Sequence, residues 1–220
     1  MGYLLDTFTK RESGFGRSFD KHPCYAEVYE EWLAPFKDKD VVLVEIGIGW
    51  GGSLQVWKHF LGPKAKIYGL DIQEGSFYTE DQIVGNYRVD QLDIESLEKV
   101  PIPEIDIFID DASHISKGQI NTFKVFFPRL RSNGLYIVED IGTSYRFENY
   151  GGGFRKQGSF IEYCKDIIDV LQINEWGAII PQAENMKSVV GHLIPIYDNI
   201  LFGKVKSVTF YVGQVIIKKG

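Results

Sequence analysis

The chain has 220 residues, of which 44% are hydrophobic and 25% charged, and its formal net charge is −6. This size and composition suit a single α/β domain with a full core, so we treat residues 1–220 as one domain. The acidic balance argues against a nucleic-acid or anionic-membrane partner, and no stretch reaches the roughly 20 apolar residues of a membrane span.

The two cysteines, Cys24 and Cys164, lie far apart and show no metal-binding or redox spacing. The first residues have neither the basic start nor the apolar run of a secretion signal. Both observations predict a cytoplasmic protein with reduced thiols.

In chain order, residues 1–24 are rich in glycine, serine and charged side chains and lack periodicity, which predicts a loop or an arm that acts as a lid. Tyr25–Phe36 has apolar residues at helical spacing and is predicted to be a helix. Val41–Ile46 is a nearly continuous β-branched run, typical of a strand buried on both faces.

The remaining elements follow from the same patterns. Strands are predicted at residues 67–70, 87–89, 105–109, 135–138, 205–211 and 214–217, and helices at residues 53–60, 116–130 and 159–171. Residues 145–158 are glycine-rich and aromatic, which predicts either a mobile loop that borders a site or a plain surface connection. Residues 177–204 fit no simple unit and are predicted to be an insertion or an edge hairpin, and their aromatic residues are a candidate interface between copies of the chain.

Alternating strands and helices predict a parallel sheet with helices on both faces. The last two strands flank Val212-Gly213, and such a tight turn requires that they run antiparallel. A mostly parallel seven-stranded sheet with an antiparallel closing strand is typical of the Rossmann-like fold of class I methyltransferases rather than of dehydrogenases.

A glycine-rich turn follows the first strand. Gly47, Gly49 and Gly51 allow a sharp turn and a close approach of the backbone to a ligand. Glu45 would repel a pyrophosphate but can receive an ammonium, which S-adenosylmethionine carries. Ser53 could cap the next helix and bind the carboxylate of that cofactor, or be a simple cap.

Further cofactor contacts are predicted where later strands end. Asp71 is placed to bind a ribose diol, in an NAD protein or in a S-adenosylmethionine protein. Asp90 and Gln91 would face the adenine, with Asp93 as the alternative acceptor for the exocyclic amine.

Paired acids end the fourth and fifth strands. Alternation sends Asp110 and Asp111 to opposite faces, and we assign Asp110 to the cofactor and Asp111 to the substrate side. Glu139 and Asp140 repeat the pair. If the two strands are neighbours, Asp111 and Asp140 approach each other, and a divalent cation such as Mg²⁺ relieves their repulsion. The alternative is that lysine or arginine side chains neutralise them.

His114, three residues after Asp111, can reach the same pocket and is the predicted general base. We expect Tyr145, Tyr150 and Gly151 to close over the acceptor.

These residues resemble a known family, the metal-dependent class I O-methyltransferases that act on deoxysugars of macrolide antibiotics of the mycinamicin and tylosin type. The resemblance rests on residues 43–47 with residues 51–54 and Trp57, on residues 109–114 and on residues 139–145. It implies that His114 is the base and that Asp111 and Asp140, with Glu139 contributing, hold Mg²⁺. Ala112 and Gly142 depart from the family pattern at the border of the acceptor site.

The expected reaction is methyl transfer from S-adenosylmethionine to a hydroxyl of a sugar or glycosylated small molecule. Three alternatives stay open. A catechol-like phenol can chelate a metal as a sugar diol does. A small NAD-binding oxidoreductase accounts for the glycines and Asp71 but not for Glu45 or the acid pairs. A non-catalytic binding module would be expected to have lost those acids.

Overall fold

The computed structural model describes residues 2–11, 18–73, 83–102, 104–177 and 204–220. Within these ranges the strands are β1 (Val42–Ile46), β2 (Lys66–Asp71), β3 (Ile83–Arg88), β4 (Ile105–Asp110), β5 (Leu130–Val138), β6 (Val205–Tyr211) and β7 (Gln214–Lys219). The α-helices are α1 (Tyr3–Lys10), α2 (Ala26–Leu33), α3 (Gly52–Leu61), α4 (Ile94–Glu98), α5 (Ser116–Phe126) and α6 (Phe160–Gly177).

The strands form one sheet in the order β3-β2-β1-β4-β5-β7-β6. All neighbouring pairs from β3 to β5 are parallel, whereas β7 runs antiparallel to both β5 and β6. The predicted fold, a mostly parallel sheet closed by an antiparallel strand, is confirmed.

Strand residues alternate between two hydrophobic cores, one on each face of the sheet. Val44 and Phe108 pack with α5 and α6, whereas Leu43, Ile107 and Ile137 pack with α1, α2 and α3. Because side chains alternate along a strand, the same alternation decides on which face of the sheet each polar residue at a strand end lies. Acids at the ends of neighbouring strands can meet only if they lie on the same face.

The first correction concerns the N-terminal residues. Residues 1–24 were predicted to be a loop, but Tyr3–Lys10 forms α1, which buries Leu4 and Phe8 against the core. The apolar residues recur four positions apart, as on one face of a helix, and the polar composition of the surrounding residues hides this short pattern. A 3-10 turn at Pro23–Tyr25 then leads into α2.

Other boundaries moved by a few residues. The third strand begins at Ile83, earlier than predicted, and β5 spans Leu130–Val138, with Leu130 also paired to Ile105 of β4. The predicted closing hairpin is present, with Gly213 in its turn at φ +77°. Most of the predicted insertion at residues 177–204 lies outside the described residues. None of the described helices is long and apolar enough to cross a bilayer.

The glycine turn after β1 has positive φ at Gly47, Gly49 and Gly51, as predicted. At Gly47 a Cβ would lie 2.1 Å from the carbonyl oxygen of Asp111, so β1 and β4 meet too closely there for any side chain. At Gly49 a Cβ would have no neighbour within 4 Å. Both positions share the backbone constraint, but only Gly47 carries a packing constraint.

We therefore expect Gly47→Ala to lower the free energy of unfolding by about 2–5 kcal/mol, because left-handed strain adds to overlap with the backbone of β4. The matched control, Gly49→Ala, should cost only the strain of about 1–2 kcal/mol. Urea denaturation of the wild type and of both variants gives the free energies of unfolding to compare. Equal losses would show that close approach at Gly47 is not the constraint.

Candidate active site

Three carboxylates meet at the carboxyl ends of three adjacent strands. Glu45 belongs to β1, Asp111 follows β4, and Glu139 follows β5. The parity of the strands places all three on the face that carries α1, α2 and α3. Glu45 and Glu139 are almost fully buried, so the group needs a positive charge inside the protein.

Lys21 supplies that charge. Its Nζ lies 2.6 Å from Glu139 Oε1, 2.8 Å from Asp111 Oδ2 and 2.9 Å from Glu45 Oε1. The lysine is only 2% exposed. Burial alone would lower the pKa of Lys21, but the three carboxylates together raise it well above its usual value, so the ammonium stays charged. We call these four residues the lysine hub.

The environment of Glu45 corrects one prediction and adds an unexpected partner. Glu45 forms an ion pair with Lys21 at 2.9 Å, and its predicted contact with a cofactor ammonium stays a prediction. Ser53 does not cap α3, whose N-cap is Gly51, and its hydroxyl instead donates to Glu45 Oε2 at 2.5 Å. The Trp57 indole donates to the same oxygen at 3.2 Å. Charge reasoning identified the need for a cation but not its source, because the source is distant in sequence.

A second group lies beside the hub. Ligand atoms of Asp111, His114 and Asp140 all lie within 4.8 Å of one another, which is a spacing that a metal ion could bridge. His114 Nε2 lies 3.5 Å from Asp140 Oδ2 and 4.0 Å from Asp111 Oδ1. The predicted approach of Asp111 and Asp140 is confirmed, since β4 and β5 are neighbours. Glu139 belongs to the lysine hub, and its predicted role as a metal ligand stays a prediction.

His114 and Asp140 both have left-handed backbone conformations, at φ +55° and +52°. Aspartate and histidine enter this region more readily than most residues, yet it remains an uncommon conformation that often occurs at functional sites. Burial lowers the pKa of His114, and the opposing effect of Asp140 is weaker. The imidazole is therefore neutral near pH 7 and can accept a proton.

Two cavities meet at the glycine turn. The first, of about 520 Å³, is lined by Trp50, Ser53, Asp111, His114 and Asp140, among others. The second, of about 510 Å³, is lined by Asp71, Asp90, Gln91 and Ser113, among others. Gly47, Gly49 and Asp111 line both, so a ligand that fills the second cavity can extend past the turn into the first.

The predicted cofactor acids differ in their access to the second cavity. Asp71 accepts from the backbone N–H groups of Gly49 and Gln73 at 3.1 and 2.9 Å, and its carboxylate faces the cavity. Asp90 forms a turn with the N–H of Leu92 at 2.8 Å. Asp110 was assigned to the cofactor side but is fully buried and lines neither cavity.

Asp110 instead supports Gln91. It accepts from the Gln91 amide at 2.7 Å and from the Tyr136 hydroxyl at 3.4 Å. The Gln91 carbonyl then accepts from the Ser113 hydroxyl at 2.5 Å. Alternation correctly separated Asp110 from Asp111. Asp110 is the last residue of β4 and is buried inside the protein, so it does not reach either cavity.

Comparison with known proteins gives three consistent matches. Residues 27–133 match the FtsJ-like methyltransferase family. The chain is 38% identical over 161 residues to 8-demethyl-8-alpha-L-rhamnosyl tetracenomycin-C 2'-O-methyltransferase of Streptomyces olivaceus, covering 69% of this chain and 42% of that protein. It is 32% identical over 192 residues to mycinamicin VI 2''-O-methyltransferase of Micromonospora griseorubida, covering 79% of this chain and 46% of that protein.

Among solved structures, the chain matches the MycE methyltransferase of the mycinamycin biosynthetic pathway, solved in complex with Mg, SAH and mycinamycin VI. The TM-score is 0.79 at 28% identity, and the match covers 99% of this chain and 53% of that one. The chain has the Rossmann-like methyltransferase fold of that structure. The predicted resemblance to deoxysugar O-methyltransferases is confirmed, and the NAD-binding oxidoreductase alternative is not supported. The chain spans about half the length of the relatives that it matches.

Sequence reasoning missed two residues of the candidate site, Lys21 and Tyr25. The Tyr25 hydroxyl donates to Asp140 Oδ1 at 2.7 Å. Nothing in the sequence singles out either residue, although the excess of acids at the strand ends indicated that some basic group was needed.

The predicted acceptor residues lie in the loop after β5. Tyr145 ends a 3-10 turn at Ile141–Tyr145 and is 46% exposed. The Tyr150 carbonyl accepts from the N–H of Ser116 at 3.0 Å, which ties the loop to the start of α5 near His114. Neither tyrosine, nor Gly151, lines the two cavities described above. Their predicted contact with an acceptor stays a prediction.

The protein should lose stability as Asp110 ionises. Burial raises the pKa of Asp110 from its ordinary value of 3.8 to about 7. Between these values the folded chain retains a proton that the unfolded chain has released, so the free energy of unfolding falls as pH rises. Asp110→Asn should remove this dependence, which amounts to about 4 kcal/mol at most.

Urea denaturation of the wild type and Asp110→Asn from pH 5 to pH 8 provides the measurement. The wild type should lose stability relative to the variant as pH rises. If the two curves run parallel, Asp110 does not bind a proton in the folded state within this range.

Proposed function

We propose that this methyltransferase transfers a methyl group from S-adenosylmethionine to a hydroxyl of a sugar on a glycosylated small molecule, assisted by Mg²⁺ or another divalent cation. The observation that carries the proposal is the junction of Asp111, His114 and Asp140 within 4.8 Å, at the rim of a cavity that continues into the one holding Asp71. Relatives named for rhamnosyl and mycinamicin substrates support the choice of acceptor.

The second cavity suits the adenosyl part of the cofactor. The Asp71 carboxylate is held by backbone N–H groups at the end of β2, where it can accept from a ribose diol. Asp90 and Gln91 line the far part, where an adenine amine needs an acceptor. Gly47 and Gly49 border both cavities, which directs the methionine end toward His114. S-adenosylmethionine supplies the activated methyl group.

The donor set fits a divalent cation. Asp111 and Asp140 each present a carboxylate oxygen toward the same point, and Lys21 neutralises only part of the surrounding negative charge. Burial and the neighbouring Glu139 raise the pKa of Asp111, and a cation beside this carboxylate would favour its ionised form. Oxygen ligands favour Mg²⁺, Mn²⁺ or Ca²⁺. Such an ion supplies Lewis acidity that makes an acceptor hydroxyl easier to deprotonate.

In this mechanism His114 accepts the proton of the acceptor hydroxyl. The hydroxyl oxygen of the acceptor then forms a bond to the methyl carbon as the carbon–sulfur bond breaks. The electron pair of the broken bond stays on sulfur, and the product is S-adenosylhomocysteine. Asp140, 3.5 Å from His114 Nε2, stabilises the resulting imidazolium. The protein thus contributes alignment and proton removal.

The proposed acceptor class rests on the similarity to relatives that are named for sugar substrates. A catechol-like phenol is the alternative acceptor, and a substrate screen would distinguish the two. We further propose that Tyr145, Tyr150 and Gly151 border the acceptor and that residues 1–220 form one catalytic domain. We also propose a cytoplasmic site of action, in keeping with the unpaired cysteines Cys24 and Cys164.

Replacing the proposed base should separate catalysis from cofactor binding. We expect His114→Ala to lower turnover with a rhamnosylated acceptor by about 10²–10⁴-fold, while the affinity for S-adenosylhomocysteine stays within twofold. Labelled methyl transfer and calorimetry give the two quantities. His59→Ala, an exposed histidine on α3, is the control. Turnover close to wild type in His114→Ala would remove this residue from the base role.

Removing divalent cations should stop the reaction without preventing cofactor binding. Chelation is expected to abolish methyl transfer, and added Mg²⁺ or Mn²⁺ should restore it, because the acceptor hydroxyl would otherwise lack the Lewis acid that makes it easier to deprotonate. S-adenosylhomocysteine should still bind, since Asp71 is independent of the cation. Full turnover in the presence of excess chelator would contradict a metal-assisted mechanism.

A further inference from the structure

Two carboxylates of the site share one arrangement. Asp111 Oδ2 accepts from the Lys21 ammonium at 2.8 Å, and Asp111 Oδ1 lies 4.0 Å from His114 Nε2. Asp140 Oδ1 accepts from the Tyr25 hydroxyl at 2.7 Å, and Asp140 Oδ2 lies 3.5 Å from His114 Nε2. In each carboxylate, one oxygen is therefore anchored by a hydrogen bond, and the other oxygen faces His114.

Both anchoring side chains come from one short segment, Lys21–Tyr25, which precedes α2. His22 caps the 3-10 turn at Pro23–Tyr25 by accepting from the N–H of Cys24, and the N–H of Tyr25 donates to the His22 carbonyl at 3.0 Å. This turn holds Lys21 and Tyr25 at a set spacing. The same segment can therefore reach the end of β4 with one side chain and the residue after β5 with the other.

The surroundings make these anchors rigid. Lys21 Nζ lies 5.5 Å from the centroid of the Trp57 ring and 5.9 Å from that of Tyr29, so the ammonium is enclosed. The Tyr29 hydroxyl donates to Glu139, which is held by Lys21 as well. Tyr25 is 5% exposed, and its hydroxyl lies against Gly213 of the closing hairpin, where a Cβ would come within 2.3 Å.

We propose that Lys21 and Tyr25 are positioning residues that orient Asp111 and Asp140 toward a shared divalent cation. Tyr25 lines neither of the two cavities, and Lys21 lines only the first. The proposal rests on the cation site of the proposed function and adds the source of its geometry. Outer partners that orient metal-binding carboxylates commonly control metal affinity as strongly as they control activity.

The decisive variant is Tyr25→Phe, which removes one hydroxyl and keeps the ring. With Asp140 no longer held, the dissociation constant for Mn²⁺, measured on the cofactor-free protein by electron paramagnetic resonance, should rise about tenfold or more. Affinity for S-adenosylhomocysteine should not change. Tyr163→Phe is the matched control, because it removes a buried hydroxyl that has no hydrogen-bond partner among the described residues.

Lys21 is tested without any metal. In the presence of chelator, Lys21→Met leaves three carboxylates facing one another, so its melting temperature should fall by about 10 °C. Saturating Mn²⁺ should raise this variant's melting temperature more than that of the wild type, since the ion then provides the missing charge. Lys21→Arg keeps the charge and should recover part of the loss. A chain that folds with arginine but not with methionine supports the same conclusion.

The outcomes separate the two proposals. If the wild type binds no Mn²⁺, the metal part of the proposed function fails. If the wild type binds Mn²⁺ and Tyr25→Phe binds it equally well, the positioning role of Tyr25 is wrong and the proposed function stands. A melting temperature for Lys21→Met within 2 °C of wild type in chelator would overturn the role of Lys21.

Discussion

One buried ammonium allows the ends of three strands to meet. Glu45, Asp111 and Glu139 lie on the same face of adjacent strands, and without Lys21 their charges would repel one another in a region with little water. Lys21 donates to Asp111 and Glu139 and forms an ion pair with Glu45, so the ammonium meets one carboxylate from each of the three strand ends. This interaction also brings the segment before α2 onto the sheet, and with it Tyr25.

The site combines this charge pairing with close backbone approach. Gly47 lets the turn after β1 lie against the backbone of Asp111, so the glycine turn and the acids share one opening. The left-handed conformations of His114 and Asp140 change the direction of the chain at the two strand ends, where regular alternation would have continued. As a result, Asp111 lines both cavities and also belongs to the group that it forms with His114 and Asp140.

The successful predictions concern features that short segments encode. Hydrophobic runs and alternation located the strands, and the tight turn at Gly213 predicted the antiparallel pair. The meeting of Asp111 and Asp140 followed from the parallel order of β4 and β5. The failures concern residues whose partners no local pattern identifies. Ser53 follows a helix start, which favoured a capping role, but the nearby Glu45 captures its hydroxyl.

The sequence by itself determined the sheet, its antiparallel closure, the glycine turn and the positions of the acids, because each depends on periodicity or on backbone freedom within a few residues. Only the tertiary structure decided which acids pair with the Lys21 ammonium. Lys21 is separated by 90 residues from Asp111 and by 118 from Glu139, and no local pattern encodes a contact over that distance. The folding of α1 against the core and the order of the strands place the lysine there, and the cost of leaving buried charges unpaired explains why it is held.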